Sequence, residues 1–115
     1  ALNRPAATRT VGQSETHIRE HLSEDIRIQT LADLIGMSVS QLERRLKKSF
    51  HMTPKQLIQK IRLEQAVQLL QAEHAIADIA LACGYTDHSA FTRQFKQMTG
   101  ISPSQFKQTL QARSV

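Results

Sequence analysis

Apolar residues recur along this chain at helical spacing, and no stretch alternates as a strand would. Ile18 and Leu22 stand one helical turn apart, as do Leu42 and Leu46, and Phe91 and Phe95. Leu63, Ala66, Val67 and Leu70 fall at i, i+3, i+4 and i+7, the stripe of a helix with one buried face. Cap and stop residues divide this pattern into elements. Ser14 is expected to cap a first helix ending near Ser23-Glu24-Asp25. A second, short helix should follow Thr30, with Asp33 returning the cap and Leu31, Leu34 and Ile35 facing inward; Gly36 ends it. Ser38 and Gln41 then form the signature of a capping box ahead of Leu42 and Leu46.

Thr53-Pro54, a cap followed by proline at the first helical position, opens the longest predicted helix, which reaches about Ala72. A short helix over Ile76 to Cys83, a turn at Gly84 and a helix from Asp87 to Met98 come next. Gly100 stops that helix, and Ser102-Pro103 starts a last one bearing Phe106 and Leu110. The expectation is an all-α chain of about seven helices. Residues 1–13 lack periodicity and read as a tail or interdomain linker, followed by segments at 14–52, 53–73 and 74–115.

The same outline is written twice. "SQLERRLKKSFHMTP", beginning at Ser40, returns forty-nine positions later as "SAFTRQFKQMTGISP", beginning at Ser89. Ser40/Ser89, Arg44/Arg93, Lys47/Lys96 and Pro54/Pro103 are identical, Leu42 and Leu46 meet Phe91 and Phe95, and Thr53 meets Ser102. Upstream the offset shortens by one, with Leu31-Ala32 answering Ile79-Ala80 and Gly36 answering Gly84. A short helix, a glycine turn and a second helix with an inward apolar pair form the sequence image of a helix-turn-helix, and here there are two.

Charge placement sharpens that reading. The chain carries a formal charge of +5 with a pI near 9.9. Arg44, Arg45, Lys47, Lys48, Lys55, Lys60 and Arg62 oppose only Glu43 between Met37 and Arg62, and the second copy also has a cationic balance. Positive charge concentrated in two repeated segments suits a polyanion contacted at two places. Spacing puts Ser40, Gln41, Glu43 and Arg44 in the first copy, and His88, Ser89, Thr92 and Arg93 in the second, where side chains reach base edges. Arg45, Lys47, Lys48 and Lys96, with Thr53, Lys55 and Ser102 at the following helix starts, are placed for phosphates. Glu43 has two readings that spacing leaves open: acceptor of a hydrogen bond from cytosine N4, or partner of Lys47 one turn along.

Other chemistries find little support. "HIREH", His17 to His21, matches an H-x-x-E-H metal pattern, but no third ligand or substrate-sized domain accompanies it, and an exposed helix face accounts for the histidines. No phosphate-cradling glycine loop, nucleophile triad or cofactor motif is present, so no enzyme activity, cofactor or metal is expected. The lone Cys83, in an apolar run, reads as a small core residue. No run approaches the ~20 apolar residues of a membrane span, and the default location is the cytoplasm. A basic interaction or membrane-surface helix at "ERRLKKSF" would explain one charged segment but not the pair with its glycine turns.

The segment "IADIALACGYTDHSAFTRQFKQMTGISPSQF" resembles the signature of the AraC/XylS family of bacterial transcription regulators. The matching residues are Ile79-Ala80, Cys83-Gly84-Tyr85, Ser89, Phe91, Arg93, Phe95-Lys96, Gly100 and Ser102-Pro103, with Phe106 in the place of the usual aromatic. Arg62-Leu63, Ala66 and Leu69-Leu70 resemble the family's linker helix, and the likeness runs from Thr16 to Leu110. It implies two helix-turn-helix subdomains joined by one long helix and bound to consecutive major grooves of double-stranded DNA. It also implies RNA polymerase as a partner. A start at Ala1 rather than Met, together with the linker-like opening, suggests excision from a longer regulator with an N-terminal effector-binding or dimerisation domain.

Overall fold

A computed structural model describes residues 6–113 of the chain. Among these, seven helices and no strand occur: α1 (Ala6–Glu20), α2 (Ile28–Leu34), α3 (Val39–Phe50), α4 (Pro54–Gln71), α5 (Ile76–Ala82), α6 (His88–Thr99) and α7 (Pro103–Arg113). They form two compact units whose division falls inside α4, between Ile61 and Arg62.

Each unit is organised around the same buried stripe on its short helix. Ile28, Leu31, Ala32 and Ile35 stand at i, i+3, i+4 and i+7, as do Ile76, Ile79, Ala80 and Cys83 in the second unit. All eight residues belong to, or pack against, the core of their unit. Three expectations for α2 are corrected. Ile28 draws the start of α2 upstream, so Thr30 lies inside the helix and Arg27, without a side-chain cap, precedes it. Asp33 accepts a hydrogen bond from the Gln29 side chain at 2.8 Å instead of returning a cap. Leu34 falls outside the stripe and is 48% exposed rather than turned inward.

The turn after each short helix is built identically. Gly36 at φ 70° and Gly84 at φ 87° occupy the left-handed region that glycine enters without strain. Gly36 N–H donates to Asp33 O and Met37 N–H to Ala32 O; Gly84 N–H donates to Leu81 O and Tyr85 N–H to Ala80 O. This is the paired hydrogen bonding of a Schellman turn, which satisfies the last carbonyls of one helix while redirecting the chain. The second turn has one residue more, Thr86, before its N-cap Asp87, which is why the repeat offset changes from forty-eight to forty-nine.

The first core gathers Ile18 and Leu22, Leu31 and Ala32, Leu42 and Leu46, and Leu57, Ile58 and Ile61 from the start of α4. The end of α4 contributes Ala66 and Leu70 to the second core, with Leu63 and Val67 packed alongside as their spacing predicts. The contribution of Leu57, Ile58 and Ile61 escaped the sequence pattern because the apolar period breaks at Glu64 and Gln65. Where the first unit uses leucines, the second uses rings. Tyr85 and Phe91 lie 5.0 Å apart, and Phe91–Phe95 and Phe95–Phe106 meet edge to face at 5.7 Å. Each such pair contributes about 0.5–1.5 kcal/mol beyond the area it buries.

The first helix departs most from expectation. It begins at Ala6, so residues 6–13 are helical where a tail was expected, while residues 1–5 lie outside the described part of the chain. Ser14 therefore caps nothing; one turn before Ile18, it shares the buried stripe and is fully inaccessible. Cys83 is buried as expected, and burial pushes its thiol up to about 11.

Two predictions follow from these details. The C-cap of α3 is His51 at φ 58°, whereas the matching position after α6 is Gly100 at φ 88°. A left-handed non-glycine residue costs about 1–2 kcal/mol, partly offset by the unfolded-state entropy that glycine adds. Replacing His51 with Gly should thus stabilise the chain by roughly 0.5–1 kcal/mol. Gly100→Ala should destabilise it by about 1–2 kcal/mol through the backbone alone, since a Cβ there meets nothing within 4 Å. Urea titrations of both variants check the two signs. The second prediction concerns pH: Cys83 and Tyr85 are both raised from their ordinary values of 9.0 and 10.0, chiefly by desolvation. The folded state holds these protons more tightly than the unfolded one, so the stabilisation is complete below pH 9 and is lost as pH rises toward 11. Thermal melts from pH 7 to 11 should show that fall, reduced in Cys83→Ala.

Candidate nucleic-acid interface

The second helix of each helix-turn-helix is anchored at both ends before its outward face is considered. Ser38 Oγ accepts from Gln41 N–H at 3.1 Å while Ser38 N–H donates to Gln41 Oε1 at 2.9 Å, closing the capping box at the start of α3. Asp87 Oδ1 accepts from Ala90 N–H at 2.7 Å at the start of α6. The inward pairs Leu42/Leu46 and Phe91/Phe95 are at most 1% exposed. With each helix seated this way, about 100° of rotation per residue decides where every other side chain points.

Arg44 and Arg93 lie roughly opposite the inward pairs, flanked by Ser40 and Lys47 in α3 and by Ser89 and Lys96 in α6. All six are exposed. Both units therefore present the same outward Ser–Arg–Lys stripe. Gln41, Glu43, His88, Lys48, Thr53 and Lys55 are likewise exposed, while Arg45, Thr92 and Ser102 are half-buried.

Several of these groups have less freedom than spacing alone suggests. Gln41 Oε1 is held by the capping box, so its amide donors are the part left to face a ligand. Thr92 Oγ1 donates to His88 O at 2.9 Å and retains only acceptor capacity. No ion pair joins Glu43 to Lys47 among the described residues, and Glu43 is exposed.

Thr53 and Ser102 have a local role that the sequence reading overlooked in part. Thr53 Oγ1 accepts from Gln56 N–H and Thr53 N–H donates to Gln56 Oε1, at 3.1 and 2.9 Å. Ser102 and Gln105 repeat the arrangement at 3.2 and 2.9 Å. The signal was present as hydroxyl-Pro-x-Gln, in "TPKQ" and "SPSQ". In each box the hydroxyl accepts, leaving its own proton for an anion at the helix start.

The flanks of α3 and α6 differ. A concavity on the first unit is lined by Met37, Gln41, Arg44, Arg45 and Lys48. Away from this surface, the His17 and His21 rings lie 4.3 Å apart on α1, and His21 Nδ1 pairs with Glu24 Oε2. No group of three or more potential metal ligands occurs among the described residues, and no helix there is long and apolar enough to cross a membrane.

A family model described as "Helix-turn-helix domain" matches residues 31–109. The transcriptional activator RhaS of Enterobacter sp. (strain 638) is 30% identical over 92 residues, which is 79% of this chain and 33% of that protein. The chain thus spans about a third of the length of such relatives. Among solved structures, an AraC-type DNA-binding-domain regulator from Chromobacterium violaceum superposes with a TM-score of 0.83 at 25% identity, covering 90% of this chain and 94% of the other. The DNA-binding domain of AdpA, determined in complex with a target DNA, superposes at 0.82 with 26% identity and 96% coverage of both chains. The xylose-binding transcription activator xylR matches at 0.79 with 30% identity, over 95% of this chain and 28% of that one.

Proposed function

Since the chain belongs to the AraC/XylS family of helix-turn-helix transcription regulators and is a sequence-specific DNA-binding domain of that type, we propose that α3 and α6 each enter one of two consecutive major grooves of duplex DNA. The observation that carries this reading is the repeated Ser–Arg–Lys stripe, exposed on two helices that each bury their apolar pair. Arg44 and Arg93 are the central base readers, because a guanidinium can donate two hydrogen bonds to guanine O6 and N7. Ser40, Ser89, His88, Thr92 and the Gln41 amide contact neighbouring edges, and the free carboxylate of Glu43 accepts from cytosine N4. Lys47, Lys48, Lys96, Arg45 and Lys55 meet phosphates, joined by the hydroxyls of Thr53 and Ser102 at the starts of α4 and α7.

The whole protein around this domain is a bacterial transcription activator, with an N-terminal effector-binding or dimerisation domain in addition to the part described. It works in the cytoplasm at the nucleoid, with RNA polymerase as partner. The length of the relatives supports the larger architecture, because the chain matches only a third of theirs. No catalytic role is assigned, the family being one of regulators rather than enzymes.

The test begins with selection of a cognate site from a random duplex pool, which should yield two conserved blocks. Arg44→Ala and Arg93→Ala should each weaken cognate binding by about 1–3 kcal/mol, with little effect on random DNA. Footprinting should show each variant losing its preference within a different block. Equal losses on cognate and random DNA would rule out base readout by the residue concerned.

A further inference from the structure

DNA binding leaves one motif of the sequence without a role, the "HIREH" segment at the end of α1. Ile18 and Leu22 are buried in the first core and fix the rotation of α1, so His17 and His21, each one position before a buried residue, are carried side by side one turn apart. Their rings lie 4.3 Å apart at an interplanar angle of 31°, and both residues are half-buried rather than free in solvent. The backbone continues past the helix end in the same sense: His21 N–H donates to His17 O at 3.1 Å, and Glu24 N–H donates to His21 O at 3.0 Å. That second turn brings Glu24 Oε2 onto His21 Nδ1. An ionised carboxylate only accepts, so Nδ1 carries the proton and Nε2 of the neutral ring keeps its lone pair. A carboxylate on the far nitrogen is the arrangement that fixes ring orientation and tautomer in metal-bound histidines. The surroundings favour a cation, because Glu15, Glu20, Glu24 and Asp25 are opposed only by Arg19 between Glu15 and Asp25, and the last turn of a helix is the negative end of its dipole.

We propose that His17 and His21 chelate one divalent transition-metal ion of the kind that prefers imidazole, zinc or copper(II), with Glu24 as the positioning residue for the His21 ring. His21 supplies Nε2 and His17 one nitrogen of the adjacent ring, while Glu24 is engaged with the ring and not with the ion. No group of three or more potential ligands occurs among the described residues. The ion therefore keeps positions for water, and the pair is a staple rather than a catalytic centre, which takes three protein ligands. Its effect is on stability. Helix α1 packs against α2 and α3, and the two histidines join its last turn to the bend that follows, so an ion held there fastens the end of α1 in the first unit. An ion that binds only the folded chain shifts the folding equilibrium by mass action; at a hundred times its dissociation constant the ratio of folded to unfolded chain rises about a hundredfold. The site stands apart from α3 and α6 in the sequence, and the inference does not depend on the DNA-binding reading.

Titration calorimetry of the chain with zinc chloride should give one ion per chain, and His17→Asn and His21→Asn should each abolish that binding. Glu24→Gln leaves both rings in place and should weaken zinc binding by about tenfold, with the melting temperature of the metal-free chain little changed. Zinc should raise the melting temperature of the wild type and leave that of His17→Asn where it was. Copper(II) electron paramagnetic resonance of the wild type should show coupling to two imidazole nitrogens, a reading that needs no variant. Wild-type zinc affinity in His17→Asn, with folding verified by circular dichroism, would overturn the chelating pair and move the ion to His51, His74 or His88. A copper spectrum of the wild type with a single imidazole nitrogen would overturn it as well. Wild-type zinc affinity in Glu24→Gln would remove the positioning role of that carboxylate.

Discussion

Everything on the outward face of α3 and of α6 depends on the seating of one apolar pair in each. Leu42 and Leu46, or Phe91 and Phe95, are buried in the same core as the short helix before them, whose own central residues are Leu31-Ala32 or Ile79-Ala80. Once that pair is buried, the rotation of the second helix has no freedom left. An arginine two residues after the first apolar position must face outward, and a lysine five residues after it must lie beside that arginine. The chemistry of the surface is therefore set by the packing beneath it. Losing either buried side chain would cost several kcal/mol and, more importantly, would release the rotation that aims the polar ones.

The two units reach this state with different materials. The first relies on aliphatic packing, a reciprocal capping box at Ser38 and Gln41, and a strained His51 at the end of α3. The second relies on a run of aromatic contacts from Tyr85 through Phe106, a carboxylate cap at Asp87 and an unstrained glycine stop. What does not vary is the geometry of the turn, where the same pair of backbone hydrogen bonds recurs although the residues after glycine are Met37 in one and Tyr85 in the other. Backbone geometry is retained and side-chain chemistry is free to differ, which is the condition under which two similar modules can acquire different roles on one ligand.

That freedom is visible in the electrostatics. An outward stripe common to both units coexists with a flank that is cationic only in the first. Glu43 fits the same logic, for an acidic group at a polyanion interface repels unless it meets a donor such as cytosine N4.

Much of this was legible in the residues themselves. The helical period, glycine turns, caps and internal repeat are local features, and local backbone preferences suffice to specify them; the all-α class, the paired helix-turn-helix motif and the outward arginines required no tertiary knowledge. Tertiary packing decided the rest. Leu34 looks like a core residue until the i, i+3, i+4, i+7 stripe from Ile28 claims the buried face and leaves it exposed. Ser14 looks like a cap until the helix extends to Ala6 and places its hydroxyl beside Ile18 on the buried side. Leu57, Ile58 and Ile61 carry no continuous stripe with Ala66 and Leu70, because α4 serves two cores in succession. Burial is a property of what the rest of the chain brings to a position, so a side chain's polarity announces only its preference, and the competition among neighbours determines whether that preference is met.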